Sequence, residues 1–405
     1  MLKRKSIFLL PFLVFVGWVT SCTKPNQGLD PTQPHTAYVS LGIDALRSHG
    51  VDTENPGFTD PNTDPADKED VIRELRLILF PTGATNASLN LKFDAASIVN
   101  HRVTFKISEM LTYDIYMIAN ESASGQSGTD LSFLSQAGIS RNTLESFADV
   151  NMVGIVPEQM GSGVNGLFMM TAVYKGVTFS RSLPGTGSQA DPHRINLQPQ
   201  NLVQRPSIKG TNRQAAEMMR SLAKMEITLK DVVEVVVGED GNKTYSWILP
   251  YGYTPNSRLK VELLNMPAKY TLFPRKQLTN PAIVGAAQGY TFSFQGAPQE
   301  AYVVLPPNID DASIGGILTA DYRLYVYLPE YLASQTLPEQ QRPGVKITYS
   351  EENIATPKSK FYPIRNAGPT HYDTVLGDLN HSTDWSVFRN RFYKMRVNIK
   401  GFVIS

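Results

Sequence analysis

Along most of its length the chain alternates apolar and polar residues one by one, the period of a strand with one buried face. Residues 38–46 place Val39, Leu41, Ile43 and Ala45 on one side and Ser40, Gly42 and Asp44 on the other. The same rhythm predicts strands at 73–80, 102–107 and 112–120, the last setting Tyr113, Ile115, Met117 and Ala119 against Asp114, Tyr116 and Asn120. Residues 166–173 are more continuously apolar, as suits a strand covered on both faces. A stretch rich in Gly, Pro, Ser and Gln follows at 184–210; it reads as a loop or domain joint that buries too little to order itself. The pattern then resumes at 224–237, 257–264, 299–305, 322–328, 345–349 and 391–400. In the last of these Tyr393, Met395, Val397 and Ile399 face one way, and Lys394, Arg396, Asn398 and Lys400 the other. Only 131–150 carries patches that suggest short helices. Many short strands between turn residues predict an all-β protein of two β-sandwich domains with Greek-key type connections and a few short helices. No fixed-period repeat is present.

Length supports the division. With 405 residues, 41% of them hydrophobic, the chain is too long for one core, and the boundary falls near residue 205. The expected domains are 37–205 and 206–405.

The first residues do not belong to either. Lys3, Arg4 and Lys5 precede an apolar run from Ile7 to Val19, too short for a comfortable membrane span, which ends in Val19-Thr20-Ser21-Cys22. Small residues before a Cys at this distance resemble the lipobox of bacterial lipoproteins. There the signal, here 1–21, is removed and the thiol, here Cys22, carries the diacylglycerol. Such acyl chains hold a protein to a bilayer without a spanning helix. Cys22 is the only cysteine, which excludes an intramolecular disulfide, a thiolate zinc cage and an iron–sulfur site. Residues 22–36, rich in Pro, Asn and Gln, read as a tether.

Charge narrows the partners. The chain has 38 Lys+Arg against 37 Asp+Glu, and losing residues 1–21 removes three basic side chains and no acid. A near-neutral chain has no field with which to hold nucleic acid through its phosphates.

The search for catalytic chemistry finds no Gly-x-Ser-x-Gly elbow, and Gly161-Ser-Gly-Val-Asn-Gly166 lacks the Lys-Ser/Thr of a phosphate loop. The six histidines, at 35, 49, 101, 193, 371 and 381, include no i, i+4 pair. His371 and His381 stand among Asp373, Asp378 and Asp384, which reads as a polar loop before it reads as a metal site. Asp52, Glu54, Asp60, Asp64, Asp67, Glu69 and Asp70 lie among prolines without EF-hand spacing, the pattern of a solvated connector. Arg389, Arg391, Lys394 and Arg396 alternate with aromatics and Met; on a strand this makes an exposed row of cations that also discourages edge pairing. No catalytic residue, metal or cofactor is expected.

The order of several motifs carries a resemblance. A lipobox is followed by an alternating strand ending near Arg47, an acidic linker, Glu74-Leu-Arg-Leu-Ile-Leu-Phe80 and Tyr113-Asp-Ile-Tyr-Met-Ile-Ala-Asn120. Ala223-Lys-Met-Glu-Ile-Thr228 and Tyr393-Lys-Met-Arg-Val-Asn-Ile-Lys-Gly401 complete the series. Over most of the chain this resembles the fimbrillins, type V pilins and minor fimbrial proteins of Gram-negative anaerobes. The resemblance implies transthyretin-like sandwiches, export as an outer-membrane lipoprotein, and a cut by an Arg-specific surface protease. In the family that cut removes lipid and first strand together, and a strand from another subunit fills the groove. Arg47 occupies the matching position, Ser48 would become the first residue, and Val39, Leu41, Ile43 and Ala45 belong to the displaced strand. The implied function is adhesion through an extracellular fimbrium. Few residues follow the 391–400 strand, which points to a tip or accessory subunit rather than a repeating stalk pilin; an anchor remains open if Arg47 is not cut. The alternative function is a surface lipoprotein that captures glycans on its tyrosines and tryptophans.

Overall fold

The computed structural model describes residues 36–45, 71–123, 128–151, 168–197, 215–248, 258–267, 269–273, 291–292, 297–306, 317–332, 336–350, 358–364, 385–389 and 392–398. In chain order their strands are β1 (Ala37–Ala45), β2 (Leu75–Pro81), β3 (Leu89–Phe93), β4 (Arg102–Ile107), β5 (Thr112–Ala119), β6 (Val150–Asn151), β7 (Met170–Thr178), β8 (His193–Arg194) and β9 (Ala215–Arg220). They continue as β10 (Leu222–Val237), β11 (Lys243–Trp247), β12 (Arg258–Leu264), β13 (Lys269–Tyr270), β14 (Thr291–Phe292) and β15 (Val303–Val304). The last four are β16 (Ile317–Pro329), β17 (Gly344–Ser350), β18 (Lys358–Pro363) and β19 (Phe392–Asn398). A short α-helix, α1 (Arg141–Ser146), and a few 3-10 turns interrupt them, so the protein is all-β.

The first sheet runs β3-β2-β5-β7-β9-β1-β4, with β8 also on β1. Every residue of Leu75–Phe80 is buried, because β2 is covered on both faces. Leu75, Leu77 and Leu79 share one face with Ile115 and Met117 of β5; Arg76, Ile78 and Phe80 share the other with Ile118, Tyr116 and Asp114. This second face is roofed by the 131–150 excursion, which buries Leu134 and Leu144. Ser140 caps α1 by accepting a bond from the Thr143 amide, and Arg141 reaches from the helix to pair with Asp114.

Burying Arg76 under that roof requires complete pairing. Its guanidinium forks onto Glu121 at 2.6 and 2.8 Å and donates to Asn90 Oδ1 and the Leu134 carbonyl. Lys92 adds a second cation at 2.6 Å from the same carboxylate. Burial pushes Glu121 up, but the bonds and charges of Arg76 and Lys92 prevail and hold it below the ordinary glutamate value.

A second core lies between the sheet β11-β10-β16-β15, which also carries β19 on β10, and the sheet β14-β12-β17-β18. The long β10 pairs with β16 along most of its length. Its other edge takes β19 in parallel up to Lys230 and β11 in antiparallel from Val233. The handover falls where the β10–β16 register shifts between Leu229 and Val233, and Asp321 accepts the Asp231 amide there.

Only Ser221 separates β9 in the first sheet from β10 in the second, so the chain crosses between cores without a linker. Residues 36–405 form one compact unit. Tyr270, Leu272 and Phe273 pack in the first core although they follow β12 of the second, and Phe168 meets Tyr327 edge-on at 4.7 Å. Arg389 ties this joint. It donates to the carbonyls of Thr271 and Leu272 and pairs with Glu330 at 2.8 Å, with the residue only 1% exposed. This corrects the sequence expectation for the cationic row: Lys394 and Arg396 are exposed, but Arg389 is interior, because three bonds to backbone and carboxylate replace its water.

Two outcomes follow from these buried charges. Arg389→Met should lower the urea midpoint by the equivalent of about 3–5 kcal/mol by stranding the Glu330 carboxylate, and the double change Arg389→Met/Glu330→Met should restore most of it. For Glu121 the folded state binds its proton less readily than the unfolded chain. Its contribution is therefore fully present above the ordinary glutamate pKa and lost as the pH falls through the depressed folded value, and Glu121→Gln should flatten that acid limb of a stability–pH curve.

Candidate functional site

The first strand occupies an interior place in the first sheet. Val39 and Leu41 are 0% exposed and Ile43 1%, all within the first core. On one edge β1 pairs antiparallel with β4, Ala37 opposite Ile107 through Gly42 opposite Arg102. On the other edge it pairs in parallel, first with β8 at Val39 and Ser40, then with β9 from Gly42 to Ala45. Further bonds join the Ile43 amide to the His101 carbonyl at 2.8 Å and the Ile195 amide to the Ser40 carbonyl at 2.9 Å.

Two neighbours depend on this strand. Among the described residues β4 has no strand partner except β1, although Val103, Phe105 and Ile107 are buried. β8 likewise pairs only with β1. Without β1 the first core would therefore lose its own aliphatic stripe and the anchorage of β4. Each aliphatic side chain contributes roughly 1.5–3 kcal/mol by burial.

The segment leading into β8 forms a clasp over the start of β1. The Tyr38 amide donates to the Gly187 carbonyl at 2.9 Å, and the amides of Thr186 and Gly187 donate to the Asp191 carbonyl at 3.0 Å. His193 is buried, with its Nδ1 3.1 Å from the Leu183 carbonyl. Gly187 has a left-handed φ of +77°, and a Cβ there would lie 2.7 Å from His193 Nε2. The sequence expectation that 184–210 cannot order itself is thus corrected for its first part. Backbone and Asp191 hydrogen bonds, with β1 as template, and burial of Ile195 and Leu197 in the first core supply that order.

The face of β1 turned away from the core carries Ser40 and Gly42. Ser40 lies opposite Thr104 of β4 and Arg194 of β8, and Gly42 lies opposite Arg102. Arg102 reaches across to donate from Nε to Ser40 Oγ at 2.9 Å and from Nη2 to the Ser40 carbonyl at 3.3 Å.

At the other end of the chain, β19 is paired with β10 in its own second sheet. Val397 is buried in the second core, Tyr393 and Met395 pack at its margin, and the Tyr393 hydroxyl accepts the Phe388 amide at 3.0 Å. Cys22, Arg47, Ser48 and Ile399 lie outside the described residues, as do the acidic run at 52–70 and His371 and His381. Ala45 closes β1 opposite Met218. Among the described residues no group of three or more His, Cys, Asp or Glu side chains is placed to hold a metal ion. Of the aromatics considered for sugar stacking, Trp247 packs edge-on against Tyr322 at 4.6 Å and Trp385 lies under the Arg342 guanidinium at 3.9 Å.

Alternation located β1 and its apolar stripe. It did not reveal β8, β9, the clasp or the role of Arg102, because pairing with distant segments leaves no local period.

Leu41→Ala should destabilise the full chain by about 2–5 kcal/mol, read as a fall in the denaturation midpoint. Gly187→Val should also lower it, through strain at a positive φ and collision with His193, without touching the apolar stripe.

No protein-family model matches this chain. No curated protein matches it either. Among solved structures it is similar to the tip fimbrial protein Mfa3 of Porphyromonas gingivalis, C-terminally truncated, at 13% identity and a TM-score of 0.46 over 90% of this chain and 95% of that one. It is similar to a fimbrilin, FimA, of the same organism at 12% identity and a TM-score of 0.42, covering 90% and 91%. The fimbrial anchor protein Mfa2 of Porphyromonas gingivalis gives 8% identity and a TM-score of 0.36, covering 89% and 90%.

Proposed function

We propose that the chain is a non-enzymatic fimbrial subunit that supports cell adhesion and assembles by exchange of its first strand. It reaches the outer membrane as a lipoprotein through Cys22. An Arg-specific surface protease cuts between Arg47 and Ser48, β1 leaves with the lipid, and a strand from another fimbrial subunit takes its place in an extracellular fimbrium. This is β-strand addition used as a regulated assembly step.

The observation that carries the reading is the seat of β1: an apolar stripe fully inside the core, paired on both edges, two residues upstream of Arg47. A strand so placed is removable only at a cost that a replacement must offset. Because the chain cannot vacate that seat while β1 is tethered, proteolysis outside the cell sets the moment of assembly. The pairing of β19 with β10 engages that strand within the second sheet of its own chain.

The test is the N-terminal sequence of protein recovered from the cell surface, alongside an Arg47→Ala variant. Protein starting at Ser48 in sheared fimbriae, and loss of that species with retention at the membrane in the variant, are expected. Acylated Cys22 on every recovered molecule, or fimbrial incorporation unchanged by Arg47→Ala, would overturn the reading.

A further inference from the structure

An outgoing β1 and an incoming strand make the same backbone ladder and fill the same apolar holes. Any preference for the newcomer must therefore come from side chains that β1 leaves poorly answered. Among the described residues the outward face at Ser40 is such a place. Arg102 and Arg194 flank it from the two neighbouring strands, and Lys106 stands opposite Tyr38 one step away. At the Ser40 position β1 offers these cations one hydroxyl and one carbonyl oxygen, both accepting from Arg102. Partial burial and the charge of Arg194 together hold the Arg102 guanidinium below its ordinary value. The next acid along this face is Asp44 of β1 itself, four residues beyond Ser40 at the far end of the strand, with Glu217 opposite it.

We infer that the seat of β1 selects its incoming strand by charge: an extended segment of a partner subunit with aliphatic residues at the registers of Val39, Leu41 and Ile43, a glycine or similarly small residue at that of Gly42, and Asp or Glu at that of Ser40. This rests on the strand-exchange reading above and names its partner. A carboxylate presents two oxygens to two guanidinium groups, and charge-assisted bonds are roughly twice as strong as neutral ones. The small residue is required because the Arg102 side chain starts directly opposite Gly42 and runs over the strand to Ser40. The exchange then runs forward because the newcomer neutralises an arginine pair that β1 leaves charged.

Two arms test this. In the full chain, Ser40→Asp should raise the denaturation midpoint, the gain should shrink as salt is added, and it should vanish in the Arg102→Gln background. A loss on Ser40→Asp, or a gain that survives Arg102→Gln, overturns charge selection. In the second arm the chain carries a unique protease site in place of 47–52 and is nicked there, then offered fluorescent peptides of residues 37–45, unmodified or with S40D. The S40D peptide should bind about five- to tenfold tighter, a preference erased by Arg102→Gln. Equal affinities overturn the selectivity and leave exchange standing. Entry of neither peptide overturns strand exchange itself, and this inference with it.

Discussion

The first core is closed by a strand that belongs to it by packing but is separated from it along the chain. Val39, Leu41 and Ile43 are as deeply buried as any residue of β2 or β5, yet β1 precedes the rest of its sheet by more than two dozen residues. It sits between β4 and the pair β8/β9 rather than at a rim, so its removal breaks the sheet in the middle. An edge strand could be shed with a local loss. An interior strand cannot, and this asymmetry makes the seat specific: whatever replaces β1 must match two edges and an apolar stripe together.

The joint between the two cores is built mainly from other strands. β9 and β10 form one nearly continuous extended segment that contributes a strand to each sheet, broken only at Ser221. β1 lies parallel to its first part and β19 parallel to its second. Arg389 locks residues 271–272, which lean on the first core, to Glu330 beside the second. The joint between the cores therefore rests on contacts in which β1 takes no part.

How much of this was legible follows from where the signal lives. Alternation marked several strands, including ones buried on both faces: 102–107 is β4, and β1, β5, β10 and β17 agree to within a residue or two. The run at 299–305 reads as a strand but is largely a 3-10 turn, Glu300–Tyr302, followed by the two-residue β15. β9, with the sequence Ala-Ala-Glu-Met-Met-Arg, carries strong helix formers and becomes a strand because β1 and β7 pair with its edges. The clasp at 183–195 has the composition of a loop, and its order comes from hydrogen bonds within it and to β1, and from the buried Ile195, that no local period encodes. For the site, the apolar stripe was visible and its neighbours were not. Arg102 and Arg194 are ordinary strand arginines until the register places both beside Ser40.

Severing a chain removes no contact, so a cut after Arg47 would not by itself empty the seat. What it removes is the tether, which keeps β1 at an effective concentration in the millimolar range for short flexible linkers. Once that is gone, occupancy obeys mass action: β1 and any competing strand contend for one site in proportion to concentration and affinity. On the proposed reading the cut piece carries the lipid and stays with the bilayer while the remainder can leave it. Separation then dilutes β1 away from the seat, which adds to whatever preference the seat has for the incoming strand. A seat tight enough to hold the uncut protein together is for the same reason tight enough to hold a partner, and the difference between storage and assembly reduces to whether occupant and core share one covalent chain.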